Sequence, residues 1–305
     1  MYPIYKSLKT KEICEDVKLS FPQQHQDNHP GFEYKMVPRP ISENPYNLHT
    51  KGNNKLKDKV AIITGGDSGI GRAIAYAYAK EGADIVISYL CEHKDAEETR
   101  SRVEQLGRKC ILVSGDLKYE ETAKKIVKCA IDNFGKIDIL VNNAAVQYIQ
   151  RSILDITEEQ LDITFRTNVY SMFFMTKAAL LYMKKGSCII NTTSITSYEG
   201  EENLLDYSSS KGAITSFTRS LSKNLVSKGI RVNAVAPGPI WTPLIPSSYS
   251  SEEVETFGTY TSKVPMNRAG QPFEIAPSYV FLASDDSSYM SGQVLHPNGG
   301  TIVGS

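Results

Sequence analysis

The chain has 305 residues, of which 41% are hydrophobic and 22% are charged, with 34 basic side chains balancing 34 acidic ones. This composition is that of a globular protein, and the length favours one α/β domain with an appendage over two domains. A formal net charge of zero leaves no surplus of Lys and Arg to bind the phosphates of a nucleic acid, so that class of partner is excluded.

The cysteines are odd in number, widely spaced and without a CxxC pair, which predicts reduced thiols and a cytoplasmic location: Cys14, Cys91, Cys110, Cys129 and Cys188. No apolar run approaches the ~20 residues of a membrane span, and no secretory signal is evident, so no membrane partner is expected. His25 and His29 have the spacing of a helical metal site, but Pro22 and Pro30 flank them, and we predict no metal.

Residues 1–56 are rich in prolines and amides and poor in aliphatic residues, so they cannot form a core of their own. We predict an extended N-terminal arm over residues 1–56 and one folded domain over residues 57–305. Scattered apolar residues suggest that the arm docks onto the main body or a neighbouring subunit, and a freely moving tail is the alternative: Phe21, Phe32, Tyr34, Met36 and Val37.

From Lys57 onward, short aliphatic runs alternate with helical stretches that end at glycines such as Gly82 and Gly135. The runs are β-branched and lack polar alternation, which is typical of strands covered on both faces. They lie at 60–65, 84–89, 110–116, 137–144, 188–194, 230–238 and 293–300. This pattern predicts an α/β fold with a doubly wound, Rossmann-like parallel sheet of about seven strands flanked by helices.

In such a sheet a dinucleotide pyrophosphate binds at the first strand-to-helix turn. That turn is TGGDSGIGRA here, with Gly65, Gly69 and Gly71 in a TGxxxGIG spacing. Small residues let the backbone approach phosphates, and free N–H groups at the helix start complement the anion, although glycines after a strand can also simply make a tight turn. No GK[ST] follows, which disfavours an NTP-binding P-loop.

Polar residues follow later strands as well. Asp116 can accept a hydrogen bond from an adenine amino group, and Asn142 and Asn143 can brace the backbones of neighbouring strands. Each of them also suits an ordinary turn at a strand end. Their positions relative to the glycine turn favour the cofactor interpretation.

Tyr207 and Lys211 are four residues apart at the start of a predicted helix, so their side chains lie on one face. Ser194 ends the strand CIINTTS, at the edge where a nicotinamide is expected. A phenol with an ordinary pKa near ~10 needs a neighbouring cation to act as an acid or base at neutral pH. We therefore predict Tyr207 as the acid/base, Lys211 as the group that lowers its pKa and holds the ribose, and Ser194 as the group that orients the substrate oxygen.

These motifs together resemble the single-domain short-chain dehydrogenase/reductase family over about residues 57–303. The resemblance is carried by TGGDSGIG, GDL, NNAA, TNVYS with Asn168, Ser194, YSSSK and the PGPIWTP run. It implies that residues 57–305 form a dinucleotide-binding catalytic domain. The expected activity is that of an oxidoreductase that moves a hydride between NAD or NADP and an alcohol or carbonyl, acting on CH–OH groups. It also implies that Asn168 is a fourth catalytic residue, which keeps a proton-relay water linked to Lys211.

The arm and the GGDSGIGRA turn resemble an N-terminally extended bacterial subgroup of that family. Two departures are small, because Ala145 and Thr193 stand where Gly and Ser are more common and neither removes a proton donor or acceptor. The resemblance places Ile240 and Thr242 near the nicotinamide carboxamide. The expected dinucleotide contacts are Gly65, Asp67, Ser68, Gly69, Ile70, Gly71, Tyr89, Leu90, Asp116, Leu117, Asn143, Ala144, Tyr207, Lys211, Pro237, Gly238, Ile240 and Thr242.

The choice between NAD and NADP normally depends on residues just after the second strand. Tyr89 stands where an Asp would indicate NAD, Glu92 disfavours a 2′-phosphate and Lys94 favours one. Asp67 and Ser68 occupy the part of the glycine turn where an Arg or Lys would indicate NADP. The pattern favours NAD slightly.

Two stretches, 196–206 and 241–265, are expected to bind a small-molecule substrate, the second as a closing lid. The three glutamates of the first stretch suit a polyol or sugar, or else form a solvated acidic loop: Glu199, Glu201 and Glu202. The helix that begins near Glu158 is apolar on more than one face, which predicts burial against another subunit. The family resemblance likewise implies a tetramer or dimer.

Other functions remain open. A catalytically silent dinucleotide-sensing or scaffold protein of the same fold is the main alternative, although Asn168, Ser194, Tyr207 and Lys211 are all intact. A lyase or epimerase that uses a bound dinucleotide is disfavoured because the chain has no sizeable second domain. A serine hydrolase is excluded because no GxSxG elbow occurs.

Overall fold

The computed structural model describes residues 21–45, 48, 52–259 and 264–304, so Cys14 and part of the predicted lid lie outside the described residues. Within those ranges one parallel sheet has the strand order β3-β2-β1-β4-β5-β6-β7. The strands are β1 (Val60–Thr64), β2 (Asp84–Tyr89), β3 (Cys110–Ser114), β4 (Ile139–Asn142), β5 (Cys188–Thr192), β6 (Arg231–Val235) and β7 (Val294–Leu295). Each strand falls within one of the aliphatic runs, so the predicted sheet is confirmed.

Helices cover both faces of this sheet. The main ones are α1 (Gly69–Lys80), α2 (His93–Gln105), α3 (Glu120–Phe134), α4 (Glu158–Phe165), α5 (Ser171–Leu180), α6 (Thr196–Glu199), α7 (Leu205–Leu225), α8 (Ser251–Thr256) and α9 (Pro272–Ala283). Helix α3 ends as its sequence predicts, because Gly135 takes the left-handed conformation at the C-terminal cap with φ of 73°. No helix of the described residues is long and apolar enough to cross a membrane.

Successive strand residues point to opposite faces, and the sheet therefore builds two cores. Ile62 and Val86 pack with α3 and α5 on one face, whereas Ile63 and Ile85 pack with α1 and α9 on the other. All four side chains have no exposed surface. Strands with both faces covered need no polar alternation, which explains why the sequence shows uninterrupted aliphatic runs.

The predicted long helix from Glu158 is interrupted. A π-helical turn at Arg166–Tyr170 separates α4 from α5. Met175 is fully buried against the sheet, but Phe173 is 46% and Leu181 is 79% exposed in the single chain. The described residues of this chain therefore leave the apolar outer face partly exposed.

The described part of the arm, residues 21–45, docks onto the main body. Phe21 stacks on Trp241 with ring centroids 3.8 Å apart, and the Trp241 indole N–H donates to the Pro38 carbonyl at 2.9 Å. Trp241 is fully buried by these contacts. Of the two alternatives for the arm, docking holds for this segment.

Candidate active site

A cavity of about 940 Å³ opens at the carboxyl ends of the strands. It lies where β1 and β4 are neighbours and the strand order reverses, which is the usual ligand-binding position in open α/β sheets. Ser194, Tyr207 and Lys211 line it together with most of the glycine turn. One cavity thus joins the predicted cofactor turn to the predicted acid/base group.

The glycine turn needs its glycines for steric reasons. Gly65 and Gly69 have φ of +61° and +52°, in the left-handed region that side chains disfavour. A Cβ on Gly71 would lie 1.9 Å from the Gly65 carbonyl oxygen. Asn143 holds the turn from β4, because its side-chain amide donates to the carbonyls of Thr64 and Gly65 at 3.0 and 3.2 Å. The predicted bracing by Asn143 is therefore visible in the structure.

Most of the predicted contact residues line this cavity, while two lie behind it. Gly71 packs the start of α1 against the turn and does not reach the cavity wall, and Asn168 has no exposed surface. The residues that do line it are Gly65, Asp67, Ser68, Gly69, Ile70, Tyr89, Leu90, Asp116, Leu117, Asn143, Ala144, Ser194, Tyr207, Lys211, Pro237, Gly238, Ile240 and Thr242.

Tyr207 and Lys211 both project from the first turns of α7. Lys211 Nζ donates to the Thr192 carbonyl at 2.9 Å and lies 5.3 Å from the centroid of the Tyr207 ring. Burial raises the pKa of Tyr207 to about 12, and the hydrogen bond with the Ser194 side chain opposes that rise. Burial lowers the pKa of Lys211 to about 7. Burial thus favours the neutral phenol of Tyr207 and disfavours the charged ammonium of Lys211, which was predicted from the sequence to lower the pKa of that phenol.

Asn168 lies in the π-helical turn. Its side-chain oxygen accepts from the Val146 N–H at 2.8 Å, and its amide donates to the Val146 carbonyl at 2.9 Å and to Ser210 Oγ at 3.0 Å. These bonds fix the segment that follows β4 at the base of the cavity. Both polar atoms of the side chain take part in these bonds, so Asn168 braces the chain after β4.

Carboxylates dominate the end of the cavity beside β2. Asp67 and Glu92 are 5% and 2% exposed, and both line the cavity. Burial and the nearby Glu92 carboxylate raise the pKa of Asp67 to about 7. Lys94, which could have favoured a phosphate, has its ammonium 4.1 Å from the Tyr34 ring of the arm and does not line the cavity.

The arm reaches this site, which no sequence pattern indicated. His29, Pro30 and Gly31 line the cavity, as does Gln147, five residues after the end of β4. Glu33 lies beneath the glycine turn, where its carboxylate accepts from the Gly69 N–H and binds Arg72, each at 2.6 Å. Only the scattered apolar residues of the arm hinted at docking, and they did not indicate where.

A glycine turn, a braced switch point and a Ser–Tyr–Lys set in one cavity define a dinucleotide-binding α/β oxidoreductase. The family model described as "Enoyl-(Acyl carrier protein) reductase" matches residues 65–301. The chain belongs to the short-chain dehydrogenase/reductase family, as the resemblance of its motifs implied.

Named relatives match nearly the whole chain. An uncharacterized oxidoreductase of Bacillus subtilis, YhxC, is 59% identical over 95% of this chain and 99% of its own length. The glucose and ribitol dehydrogenase of Daucus carota is 54% identical over 93% of this chain and 97% of its own. Among solved structures, a short chain dehydrogenase from Burkholderia cenocepacia in complex with NADP is 29% identical, with a TM-score of 0.75 over 81% of this chain and 98% of that one.

Proposed function

We propose that the chain oxidises an alcohol or reduces a carbonyl by transferring a hydride to or from a nicotinamide dinucleotide. Tyr207 acts as the acid/base, Ser194 orients the substrate oxygen, and Lys211 favours the phenolate and holds the nicotinamide ribose. The observation that carries this proposal is the single cavity that joins the glycine turn to the phenol of Tyr207, with Ser194 within hydrogen-bonding reach of that phenol.

The residues present fit a dinucleotide. Gly65 and Gly69 take left-handed backbone conformations in the turn that leads into α1, where a pyrophosphate is favoured by the N-terminal N–H groups of the helix. One of those groups, the Gly69 N–H, is bonded to the Glu33 carboxylate. Asp116 and Leu117 line the cavity near β3, and Ile240 and Thr242 line it after β6. When bound, the cofactor supplies the acceptor or donor of the hydride.

The proton is moved by Tyr207. Because burial keeps its phenol neutral at pH 7, Tyr207 is ready to donate a proton to a carbonyl oxygen during reduction. For oxidation, the phenol must lose its proton, and a Lys211 ammonium favours the phenolate by opposite charge. Asn168 holds Val146 and the base of the cavity in place, and we propose that a proton-relay water is kept beside it.

We propose NAD as the preferred dinucleotide. A 2′-phosphate bound near β2 would face Asp67 and Glu92, two buried carboxylates, while Lys94 is turned toward Tyr34. The NADP in the Burkholderia cenocepacia structure favours the opposite choice for that relative. The carboxylates of this chain are the reason for the preference.

We also propose a cytoplasmic homotetramer or homodimer. The thiols of the described cysteines are free, which suits a reducing compartment: Cys91, Cys110, Cys129 and Cys188. The exposed apolar residues in and beside α5, such as Phe173 and Leu181, suit a contact with a second copy of the chain.

The proposal is tested by comparing wild type with Tyr207→Phe. Isothermal titration gives the affinities for NAD and NADP, and absorbance of the reduced nicotinamide gives turnover on a panel of polyols, sugars, alcohols and ketones. We expect Tyr207→Phe to keep the dinucleotide affinity within about twofold and to lose turnover by roughly 10²–10⁴-fold, because it lacks the transferable proton.

Tyr289→Phe is the matched control, since Tyr289 is fully exposed and far from the catalytic set in the sequence. It should match the wild type in both measurements. If the wild type binds dinucleotide but turns over no member of the panel, the dinucleotide-sensing alternative replaces this proposal.

A further inference from the structure

Gln147 carries a buried side-chain nitrogen, Nε2, that has no hydrogen-bond partner among the described residues. The residue lines the cavity that holds Tyr207, and it is only 4% exposed. Buried amide donors are nearly always paired in folded proteins, so an unpaired one that borders a ligand cavity indicates a ligand atom that completes it.

The backbone of Gln147 is held firmly on three sides. Asn168 binds both backbone polar groups of the preceding residue, Val146. The Gln147 carbonyl accepts from Ser248 Oγ at 3.3 Å, and the Gln147 N–H points to His29 Nε2 at 3.4 Å. These contacts fix the position of the backbone from which the Gln147 side chain extends.

His29 belongs to the arm and lies between the backbone of Gln147 and that of Ser247, which is part of the stretch 241–265. Its Nδ1 lies 3.4 Å from the Ser247 carbonyl, and its ring packs on Tyr148 with centroids 4.8 Å apart. Because a carbonyl accepts only, Nδ1 must carry the proton, which leaves Nε2 as the acceptor for the Gln147 N–H. Burial lowers the pKa of His29, in keeping with this neutral form.

We propose that Gln147 and His29 form a second polar subsite of the cavity. In it, the Gln147 side-chain amide donates to a substrate oxygen other than the one that reacts, and His29 of the arm positions Gln147. The occupant is an alcohol or carbonyl compound that carries further hydroxyl groups. Hydroxyl oxygens accept from an amide, and hydroxyl protons suit the carboxylates of Glu199, Glu201 and Glu202, which line the cavity at exposed positions.

This subsite rests on the proposed oxidoreductase function, and two probes of equal carbon number test it: ribitol, with five hydroxyl groups, and 1-pentanol, with one. We expect Gln147→Met, which keeps the length but removes the donor, to lower kcat/KM for ribitol by about tenfold or more, through KM. The value for 1-pentanol should stay within about twofold, because that alcohol has no second oxygen to lose a bond.

His29→Phe keeps the packing on Tyr148 but removes both ring nitrogens. Because His29 acts through Gln147, His29→Phe should raise the KM for ribitol by less than Gln147→Met does. Its kcat and its dinucleotide affinity should equal those of the wild type. Gln105→Met is the matched control, since Gln105 is exposed on α2, and it should change neither alcohol. Equal losses for both alcohols in Gln147→Met, or no loss for either, would overturn the subsite.

A binding readout separates this inference from the proposed function. Isothermal titration of ribitol into Tyr207→Phe saturated with NAD measures the subsite without turnover. Weaker binding when Gln147→Met is added supports the subsite even if the wild type turns over neither alcohol, which would count against the proposed function alone. Unchanged binding, or no ribitol binding at all, overturns the subsite whatever the turnover.

Discussion

Two buried carboxylates, Asp67 and Glu92, determine the charge of the cavity at its β2 end. Glu92 is held by the N–H groups of Leu90 and Cys91 at 3.1 and 3.0 Å, while Asp67 has its pKa raised to about 7 by burial and by Glu92. Asp67 therefore loses its proton near neutral pH, and its negative charge increases from pH 6 to pH 8. A 2′-phosphate should be repelled more strongly at the higher pH.

We expect the ratio of the Kd for NADP to the Kd for NAD to rise from pH 6 to pH 8 in the wild type. In Asp67→Asn the ratio at pH 8 should be smaller by roughly 3–10-fold, because one charge is removed. Titration calorimetry at both pH values measures it. The 2′-phosphate has its own ionisation in this range, but that contribution is common to both proteins, so only the difference between them reports on Asp67. Equal ratios in the two proteins would show that Asp67 does not discriminate.

Among individual residues, those that belong to a recognisable motif were predicted from the sequence. Residues that stand out only through their burial in the packed structure were missed. The glycines, Ser194, Tyr207 and Lys211 could be predicted to lie near one another because their motif spacings place them at strand ends and at the start of a helix. Gln147 carried no such signal, since its proposed role rests on an unpaired amide nitrogen that only the packed structure reveals. The pKa values of Tyr207 and Lys211 also follow from desolvation, which a spacing argument does not measure.

The arm is the element whose observed role differs most from what its sequence predicted. Glu33 is 1% exposed, and its carboxylate joins the Gly69 N–H to the buried guanidinium of Arg72. The Glu33 and Tyr34 N–H groups in turn donate to the Asp95 carboxylate of α2 at 2.9 and 3.1 Å. The arm thus fastens the glycine turn to the rest of the molecule, a role that proline content alone did not indicate.

Glu33→Ala should release the arm. Removing one partner of a buried ion pair costs ~3–5 kcal/mol, since Arg72 and the Gly69 N–H lose their acceptor. Trp241 is the only tryptophan of the chain and is covered by Phe21 and Pro38, so it reports on docking. We expect a red shift of its emission and a weaker dinucleotide affinity in Glu33→Ala.

The control for this experiment is Asp27→Ala, because Asp27 lies in the same arm with a fully exposed side chain. Its emission and dinucleotide affinity should equal those of the wild type. An unshifted emission in Glu33→Ala would mean that the apolar contacts around Trp241 hold the arm without the buried ion pair.

In the overall architecture, the parallel sheet was predictable from the sequence, whereas the π-helical turn and the docking of the arm were not. Uninterrupted aliphatic strands require cover on both faces, and right-handed crossovers supply it, so strand order near the switch point follows from the alternation of strands and helices. The π-helical turn at Arg166–Tyr170 has no such rule, because it depends on the bonds from Asn168 to Val146. The docked arm likewise depends on contacts more than 200 residues apart in the chain, such as Phe21 with Trp241.

The outer face of α5 is an exposed apolar surface that suits a contact between two copies of the chain. Phe173 is 46% exposed and packs on Phe217 of α7 at 4.3 Å, and Tyr170, Leu181 and Tyr182 are also exposed. If a second copy covers this face through a two-fold axis, one substitution acts twice in each interface.

We expect light scattering after size exclusion to give two or four times 33.8 kDa for the wild type and half that mass for Phe173→Asp. Tyr119→Asp, at an exposed aromatic residue before α3, should leave the mass unchanged. A wild type that elutes at 33.8 kDa would show that this apolar face is not a contact between copies.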